Sequence, residues 1–138
     1  MENRALTEED IRNDNGDDYM NARHLEFFKG YLQKMKQQLL ENANATSQHL
    51  QEQEATPDPA DRATLEEEYA LELRTRDRER KLLIKIDQAI ARIDANDYGY
   101  CEDTGEPIGL KRLLARPTAT LSIEAQERRE RMKKQYAD

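Results

Sequence analysis

The sequence has little of what usually stabilises a compact globular domain. Among 138 residues there are one cysteine, two phenylalanines and no tryptophan, and the hydrophobic fraction of 36% is smaller than the charged fraction of 37%. A single thiol cannot form an intramolecular disulfide, and alone it cannot build a metal site. So little apolar material indicates either disorder or long helices whose narrow apolar seam faces one neighbour.

Long hydrophobic runs and an excess of positive charge are also missing. No stretch of about 18 apolar residues occurs, and the N-terminus, MENRALTEED, lacks the basic and apolar regions of a secretion signal. We therefore expect a cytoplasmic protein without membrane contact. The net charge of −7 argues against direct DNA binding, because neutralising phosphates needs a clustered basic excess. A protein partner is expected instead.

Two prolines divide the chain into arms of nearly equal length. Pro57 and Pro59 lie in the segment 56–63 and cannot continue a helix interior, so a break is expected there. In both arms, roughly residues 21–54 and 63–95, apolar residues recur with the alternating spacing of a heptad. The clearest seam positions are Leu25, Phe28, Leu32, Met35 and Leu39 in the first arm and Leu83, Ile86, Ile90 and Ile93 in the second.

Matched arms about a break favour an antiparallel hairpin over an intermolecular coiled coil or a disordered chain. Folding back sets apolar residues against each other in four pairs, Leu25 with Ile93, Phe28 with Ile90, Leu32 with Ile86 and Met35 with Leu83. Nearer the break the same register sets Leu39 against Glu79, so the middle of the seam is predicted to be polar. Arms of this length would reach about 50 Å.

The fold class predicted from this pattern is mainly α, a long antiparallel coiled-coil hairpin with a small globular base. Residues 1–20 are expected to pack on or near the base, residues 21–96 to form the hairpin with its tip at 56–63, and residues 97–138 to complete the base. Within that last segment we expect short extended pieces near residues 98–100 and 107–110, and a C-terminal helix from about Ser122.

The tip of the predicted hairpin is strongly acidic. Residues 51–70 carry seven acids against one base, whereas residues 71–85 carry six bases against three acids. Asp58 and Asp61 can serve as turn and N-cap residues of the second helix. They can equally be exposed carboxylates that contact a metal centre or basic residues of a partner. Both interpretations remain open.

Two runs of sequence resemble the DksA/TraR family over roughly residues 17 to 138. They are PDPADRATLEEEYALELRTRDRERKLLIKID and YGYCEDTGEPIGLKRLLARPTATLSIEA. The resemblance implies a bacterial factor, expected to be a monomer, that binds RNA polymerase, inserts its coiled coil into the secondary channel and leaves DNA uncontacted. The family's tip motif Asp-x-x-Asp-x-Ala is matched by Asp58, Asp61 and Ala63.

The resemblance also implies a mechanism and a co-regulator. The family destabilises open promoter complexes together with guanosine tetraphosphate, the alarmone of the stringent response. Lys85 and Arg116 match two alarmone-binding positions, and Gln126 replaces a lysine at a third. Arg74 and Arg78 match basic coil residues that dock on the polymerase rim, although by charge pattern alone such arginines would be read as a solvated helix face.

The family's zinc site is the main departure from the resemblance. Its usual pattern is Cys-x-x-Cys, a spacer of 17 residues and Cys-x-x-Cys, and this chain carries Cys101, Thr104, Ser122 and Ala125 at the four positions. Structural zinc needs four competent side chains, so we predict a degenerate, zinc-free knuckle. It would rest on apolar packing, with Thr104 and Ser122 hydrogen-bonded locally and Cys101 an inert remnant.

Two other functions fit parts of the sequence. A Gre-type transcript-cleavage factor also sends an acidic coil into the polymerase channel, but it carries a sizeable β-rich domain, and only 42 residues follow residue 96 here. A structural coiled-coil adaptor would have no polymerase contact. Catalysis by the chain alone is not expected, because neither a nucleophile–base set nor a phosphate-binding loop occurs.

Overall fold

Five helices make up most of the described part of the chain. The computed structural model describes residues 5–14, 18–53 and 59–137, with backbone only for 46–53, 59–61 and 137. The helices are α1 (Glu8–Arg12), α2 (Ala22–Gln53), α3 (Pro59–Asp94), α4 (Leu110–Ala115) and α5 (Ile123–Ala137). Within these residues no strand occurs, only an isolated antiparallel bridge between Tyr100 and Pro107. The predicted fold class, mainly α, is confirmed.

The two long helices pair antiparallel, as the matched arms predicted. Lys29 Nζ lies 2.7 Å from Asp94 Oδ1, and Lys36 Nζ lies 2.8 Å from Asp87 Oδ1. A step of seven residues forward along α2 is thus matched by a step of seven residues back along α3. These pairs are exposed and contribute little stability. Their value is that they identify the direction of pairing.

By compactness the chain divides into two units. The base unit comprises residues 1–32 and 88–138, and the coil unit comprises residues 33–87. In the base unit the seam residue Phe28 is fully buried and its ring lies 5.6 Å from that of Tyr98. In the coil unit Ile86 is fully buried, whereas Leu39 and Leu83 are half-buried. The domain bounds predicted at residues 20 and 96 stay a prediction.

The second arm begins earlier than the sequence pattern suggested. We expected it at about residue 63, but α3 starts at Pro59. The first turn of a helix makes no use of the backbone N–H that proline lacks, and the fixed φ of proline suits that position. Of the predicted break at residues 56–63, residues 59–63 are helical, and residues 56–58 lie outside the described residues.

The base unit agrees with the local predictions except at one residue. Short extended pieces were expected near residues 98–100 and 107–110, and Tyr100 and Pro107 form an antiparallel bridge, but Leu110 already begins α4, which buries Leu113 completely and packs against α1. The C-terminal helix starts as predicted, since Ser122 Oγ accepts a hydrogen bond from Ala125 N at 3.2 Å. No helix among the described residues is both long enough and apolar enough to cross a membrane.

Candidate functional site

Two of the three predicted tip residues, Asp61 and Ala63, lie at the start of α3. Asp58 lies outside the described residues, and Asp61 is described by its backbone alone, as the third residue of α3. Because the helix already begins at Pro59, Asp61 is not its N-cap. Ala63 is exposed, and so are the acids that follow it at Glu66, Glu67 and Glu68.

The basic segment of α3 presents unpaired arginines. Arg74, Arg76 and Arg78 are exposed, and among the residues described here they make no hydrogen bond or ion pair. The neighbouring Asp77 is occupied by Lys81 at 3.1 Å and Arg80 at 2.8 Å, and these hydrogen bonds lower the pKa of its carboxyl group. Arg74 and Arg78 are therefore available to an external acid, as the rim-docking prediction requires.

The residues predicted to bind the alarmone are exposed but fall in different units. Lys85 belongs to the coil unit, and Arg116, at the C-terminal end of α4, belongs to the base unit. The Gln126 side chain donates a hydrogen bond to Glu130 within α5 at 3.1 Å. Their role in alarmone binding stays a prediction.

The knuckle, residues 98–125, is organised around Cys101. Backbone hydrogen bonds join Cys101 N to Glu106 O and Gly105 N to Cys101 O, each at 2.8 Å, and Glu102 N to Thr120 O at 2.9 Å. These bonds hold the turn that carries Cys101 beside the segment leading into α5. Cys101 itself is 3% exposed.

The side chains at the four former ligand positions do not fit a zinc ion. Thr104 Oγ1 accepts a hydrogen bond from Glu106 N, Ser122 Oγ accepts one from Ala125 N, and Ala125 is fully buried with no donor atom. No group of three or more His, Cys, Asp or Glu side chains suited to a metal occurs in the described part of the chain. One thiolate with two hydroxyls falls short of a tetrahedral zinc site.

An ion pair with two hydrogen bonds connects α5 to the turn at Cys101, two parts that a bound metal would also connect. Arg129 of α5 pairs with Asp103 through two nitrogens, and its Nε donates to Asp103 Oδ2 at 2.9 Å. This contact ties α5 to the turn that begins at Cys101, and it lowers the pKa of the Asp103 carboxyl group. The sequence carries no signal for this pair, because 26 residues separate the two side chains.

Removing metal should therefore leave the base unit intact. We expect a strong chelator to change neither the helicity nor the melting temperature, and elemental analysis of the purified protein to find far less than one zinc per chain. In a structural zinc protein, metal binding contributes about 10 kcal/mol or more to the free energy of folding, so removal of the metal would clearly lower the melting temperature. Unfolding of the base by chelator would refute the zinc-free prediction.

Cys101 is set apart from an ordinary buried thiol by the hydrogen-bond donors around it. Burial raises the pKa of its thiol, but the Thr104 hydroxyl and the backbone amides of Ser122, Thr104 and Asp103 lower it more, to about 6. Donors of this kind stabilise a thiolate. Cys101 therefore differs from an ordinary buried thiol in having a lowered pKa.

The charge on Cys101 makes stability depend on pH. A thiol whose pKa is depressed in the folded state stabilises the fold above its ordinary pKa of 9.0, and this contribution is lost as the pH falls through about 6. We expect the melting temperature of wild type, relative to that of a Cys101→Ala variant, to decrease as the pH is lowered from 9.0 to about 6. Melting curves of both proteins across this range test it. A constant difference would contradict a thiolate in the folded state.

A second polar cluster fastens the residues before α2 to the base. The Tyr19 hydroxyl donates to Gly99 O at 2.7 Å and accepts from Gly109 N at 2.9 Å. His24, fully buried, accepts a hydrogen bond from Met20 N at Nδ1 and lies 2.6 Å from Asp14 through Nε2. Heptad and motif analysis gave no signal for these contacts, because they join residues up to 90 positions apart.

Both halves of the chain match family models. The family described as "DnaK suppressor protein DksA, N-terminal domain" matches residues 24–93, and the family described as "Prokaryotic dksA/traR C4-type zinc finger" matches residues 96–131. The second match covers the knuckle, although three of its four cysteines are replaced here.

Relatives named "RNA polymerase-binding transcription factor DksA" align over most of the chain. The protein of Caulobacter vibrioides is 55% identical over 130 residues, which cover 94% of this chain and 92% of the relative. That of Escherichia coli K12 is 46% identical over 123 residues, with 88% and 82% covered. The solved structure of transcription factor DksA2 from Pseudomonas aeruginosa superposes with a TM-score of 0.84 at 42% identity, covering 92% and 98%. On the strength of these matches, the chain belongs to the DksA/TraR family.

Proposed function

We propose that the chain binds RNA polymerase and regulates transcription initiation through the tip of its α2–α3 hairpin. Relatives at 46% and 55% identity carry RNA polymerase binding in their names, and they align with both the coil and the knuckle. The observation that carries the proposal is the separation of charge along α3, with an acidic start and unpaired arginines at positions 74, 76 and 78.

The proposed mechanism divides the work between these two regions. Arg74 and Arg78 dock on acidic residues at the polymerase rim, and Asp58, Asp61 and Ala63 enter the secondary channel and act near the active centre. The acidic tip and the basic docking residues lie at different positions along the coil. The electrostatic field of the polymerase can therefore orient the factor as the two proteins approach each other. Open promoter complexes are destabilised, so promoters with short-lived open complexes are inhibited. The chain itself performs no chemistry and contacts no DNA.

Guanosine tetraphosphate is the proposed co-regulator. Lys85 and Arg116 supply charge for its phosphates at the interface between factor and polymerase. Gln126 cannot, because its amide is neutral and already donates to Glu130. We expect a measurable but reduced alarmone response, with the protein acting in the cytoplasm as a zinc-free monomer.

The alternative of a Gre-type cleavage factor receives no support from the base. After α3 the described residues 95–137 contain two helices and one isolated bridge, whereas that class of factor needs a β-rich domain. The alternative of a structural adaptor assigns no role to the unpaired arginines at positions 74, 76 and 78.

The proposal is tested by transcription in vitro with purified polymerase from a ribosomal RNA promoter. Protein alone should inhibit, and guanosine tetraphosphate should deepen the inhibition. A Gln126→Lys variant should respond more strongly to the alarmone, with Gln135→Lys, the same substitution at an exposed position nine residues further along α5, as its control. No inhibition at saturating protein would reject the proposal in favour of an adaptor.

A further inference from the structure

The coil unit contains an apolar hollow that its own side chains leave open. The hollow has a volume of about 520 Å³. Its apolar lining comes from both helices, and Leu40 and Leu73 remain 44% and 42% exposed. The residues of this lining are Leu39, Leu40 and Ala43 of α2 and Leu73 and Leu83 of α3. We call this set the coil hollow.

The coil hollow occurs where the heptad seam becomes polar. Glu79 occupies a seam position and lines the hollow, and its Oε2 is buried without a hydrogen-bond partner in the described structure. A carboxylate cannot fill the space that a leucine or isoleucine would fill at the same position. The isolated coil thus leaves a volume unfilled, and the side chain of a segment that covers this site could fill it.

The charges around the coil hollow indicate what kind of segment covers it. A neighbouring depression of about 580 Å³ shares Leu73 and adds Leu71, Arg74 and Arg78. Together the two depressions are lined by four arginines, at positions 74, 76, 78 and 80, against two acids, Asp77 and Glu79. Because Asp77 is already paired with Arg80 and Lys81, the field over the leucines is positive.

We propose that the coil hollow receives an apolar side chain from an acidic segment of RNA polymerase. The leucines supply the anchor, and Arg76, exposed at the rim, pairs with a carboxylate beside the anchoring side chain. This inference rests on the proposed function and extends it. Docking then depends on an apolar contact as well as on arginines, and the strongest contacts of protein interfaces are of this desolvated, central kind.

The test measures equilibrium binding to purified RNA polymerase by competition with a labelled wild-type chain. Leu40→Ser and Leu73→Ser should each weaken binding about tenfold, a loss typical of an anchoring contact. Ile84→Ser is the matched control, because Ile84 is 52% exposed in the same unit and lines neither depression. Its affinity should stay within about twofold of wild type.

A variant that fills the coil hollow distinguishes weaker binding from loss of the fold. Ala43→Leu places a larger side chain in the coil hollow and retains high helix propensity, so it should keep or raise the melting temperature and still weaken binding. Wild-type affinity in Ala43→Leu, Leu40→Ser and Leu73→Ser would overturn the inference and leave the proposed function standing. Failure of wild type to bind polymerase would overturn both. A dimer in sedimentation that Leu40→Ser dissociates would assign the hollow to a second copy instead, which also overturns the inference.

Discussion

Adding one methyl group at position 99 is expected to destabilise the base unit by about 2–4 kcal/mol and to lower its melting temperature by roughly 10 °C. Gly99 has a φ of +95°, where a side chain is strained. A Cβ there would lie 2.8 Å from Met20 Cγ and 3.2 Å from the Tyr19 hydroxyl. Met20 can move, but Tyr19 is held by hydrogen bonds to Gly99 O and Gly109 N. Thermal melting of Gly99→Ala by circular dichroism measures the loss.

Two other glycines separate strain from steric conflict. Gly105 also has a positive φ, +75°, but no atom lies within 4 Å of an added Cβ, so Gly105→Ala should cost only about 1 kcal/mol. Gly30 lies inside α2 with equally open space, and Gly30→Ala should stabilise by up to about 1 kcal/mol. If Gly99→Ala and Gly105→Ala melted alike, the close packing of Met20 and Tyr19 on Gly99 would not matter for stability.

Replacing Asp61 with asparagine is expected to abolish promoter inhibition and to leave polymerase affinity almost unchanged. A charge-assisted contact is worth about 1.5–3 kcal/mol, so its removal near the active centre should cost at least about tenfold in inhibition. Affinity should persist, because the docking arginines lie 13 and 17 residues further along the chain. The measurement is a titration of transcript yield beside a binding titration of the same variant.

A matched control shows whether Asp61 acts by position or only by charge. Glu67→Gln removes one negative charge from an exposed position six residues away and should retain inhibition. Circular dichroism of both variants separates a helix effect from a loss of function, because Asp61 lies in the first turn of α3, where a carboxylate stabilises the helix, and Glu67 lies beyond it. Equal losses in the two variants would indicate that the tip works through its net charge alone.

The long-range pairing of the fold could be predicted because it follows from periodicity. The heptad seam and the proline break together specify two antiparallel helices, and the ion pairs Lys29–Asp94 and Lys36–Asp87 fit that direction. The polar middle of the seam was likewise visible, since Glu79 is half-buried at a seam position. Helix α4 was not predicted, because its short LKRLLA run directly follows three turn-forming residues between 105 and 109.

In the candidate site, features set by single positions could be predicted, whereas contacts between residues far apart in the sequence could not. The loss of zinc ligands can be read from single positions, and the local hydrogen bonds of Thr104 and Ser122 were predicted from their chemistry. The polar contacts between distant residues that hold the base unit together could not be predicted. Arg129–Asp103, Asp14–His24 and Tyr19–Gly99 depend on tertiary placement of residues that have no characteristic spacing.

The lifetime of the open complex at a ribosomal RNA promoter tests the central proposal most directly. Polymerase and promoter are mixed with saturating protein, challenged with a competitor, and the decay of transcription-competent complexes is followed. A tip that destabilises open complexes should shorten the lifetime several-fold with wild type and with Glu67→Gln, but not with Asp61→Asn. An unchanged lifetime while the protein is demonstrably bound to polymerase would contradict the proposal.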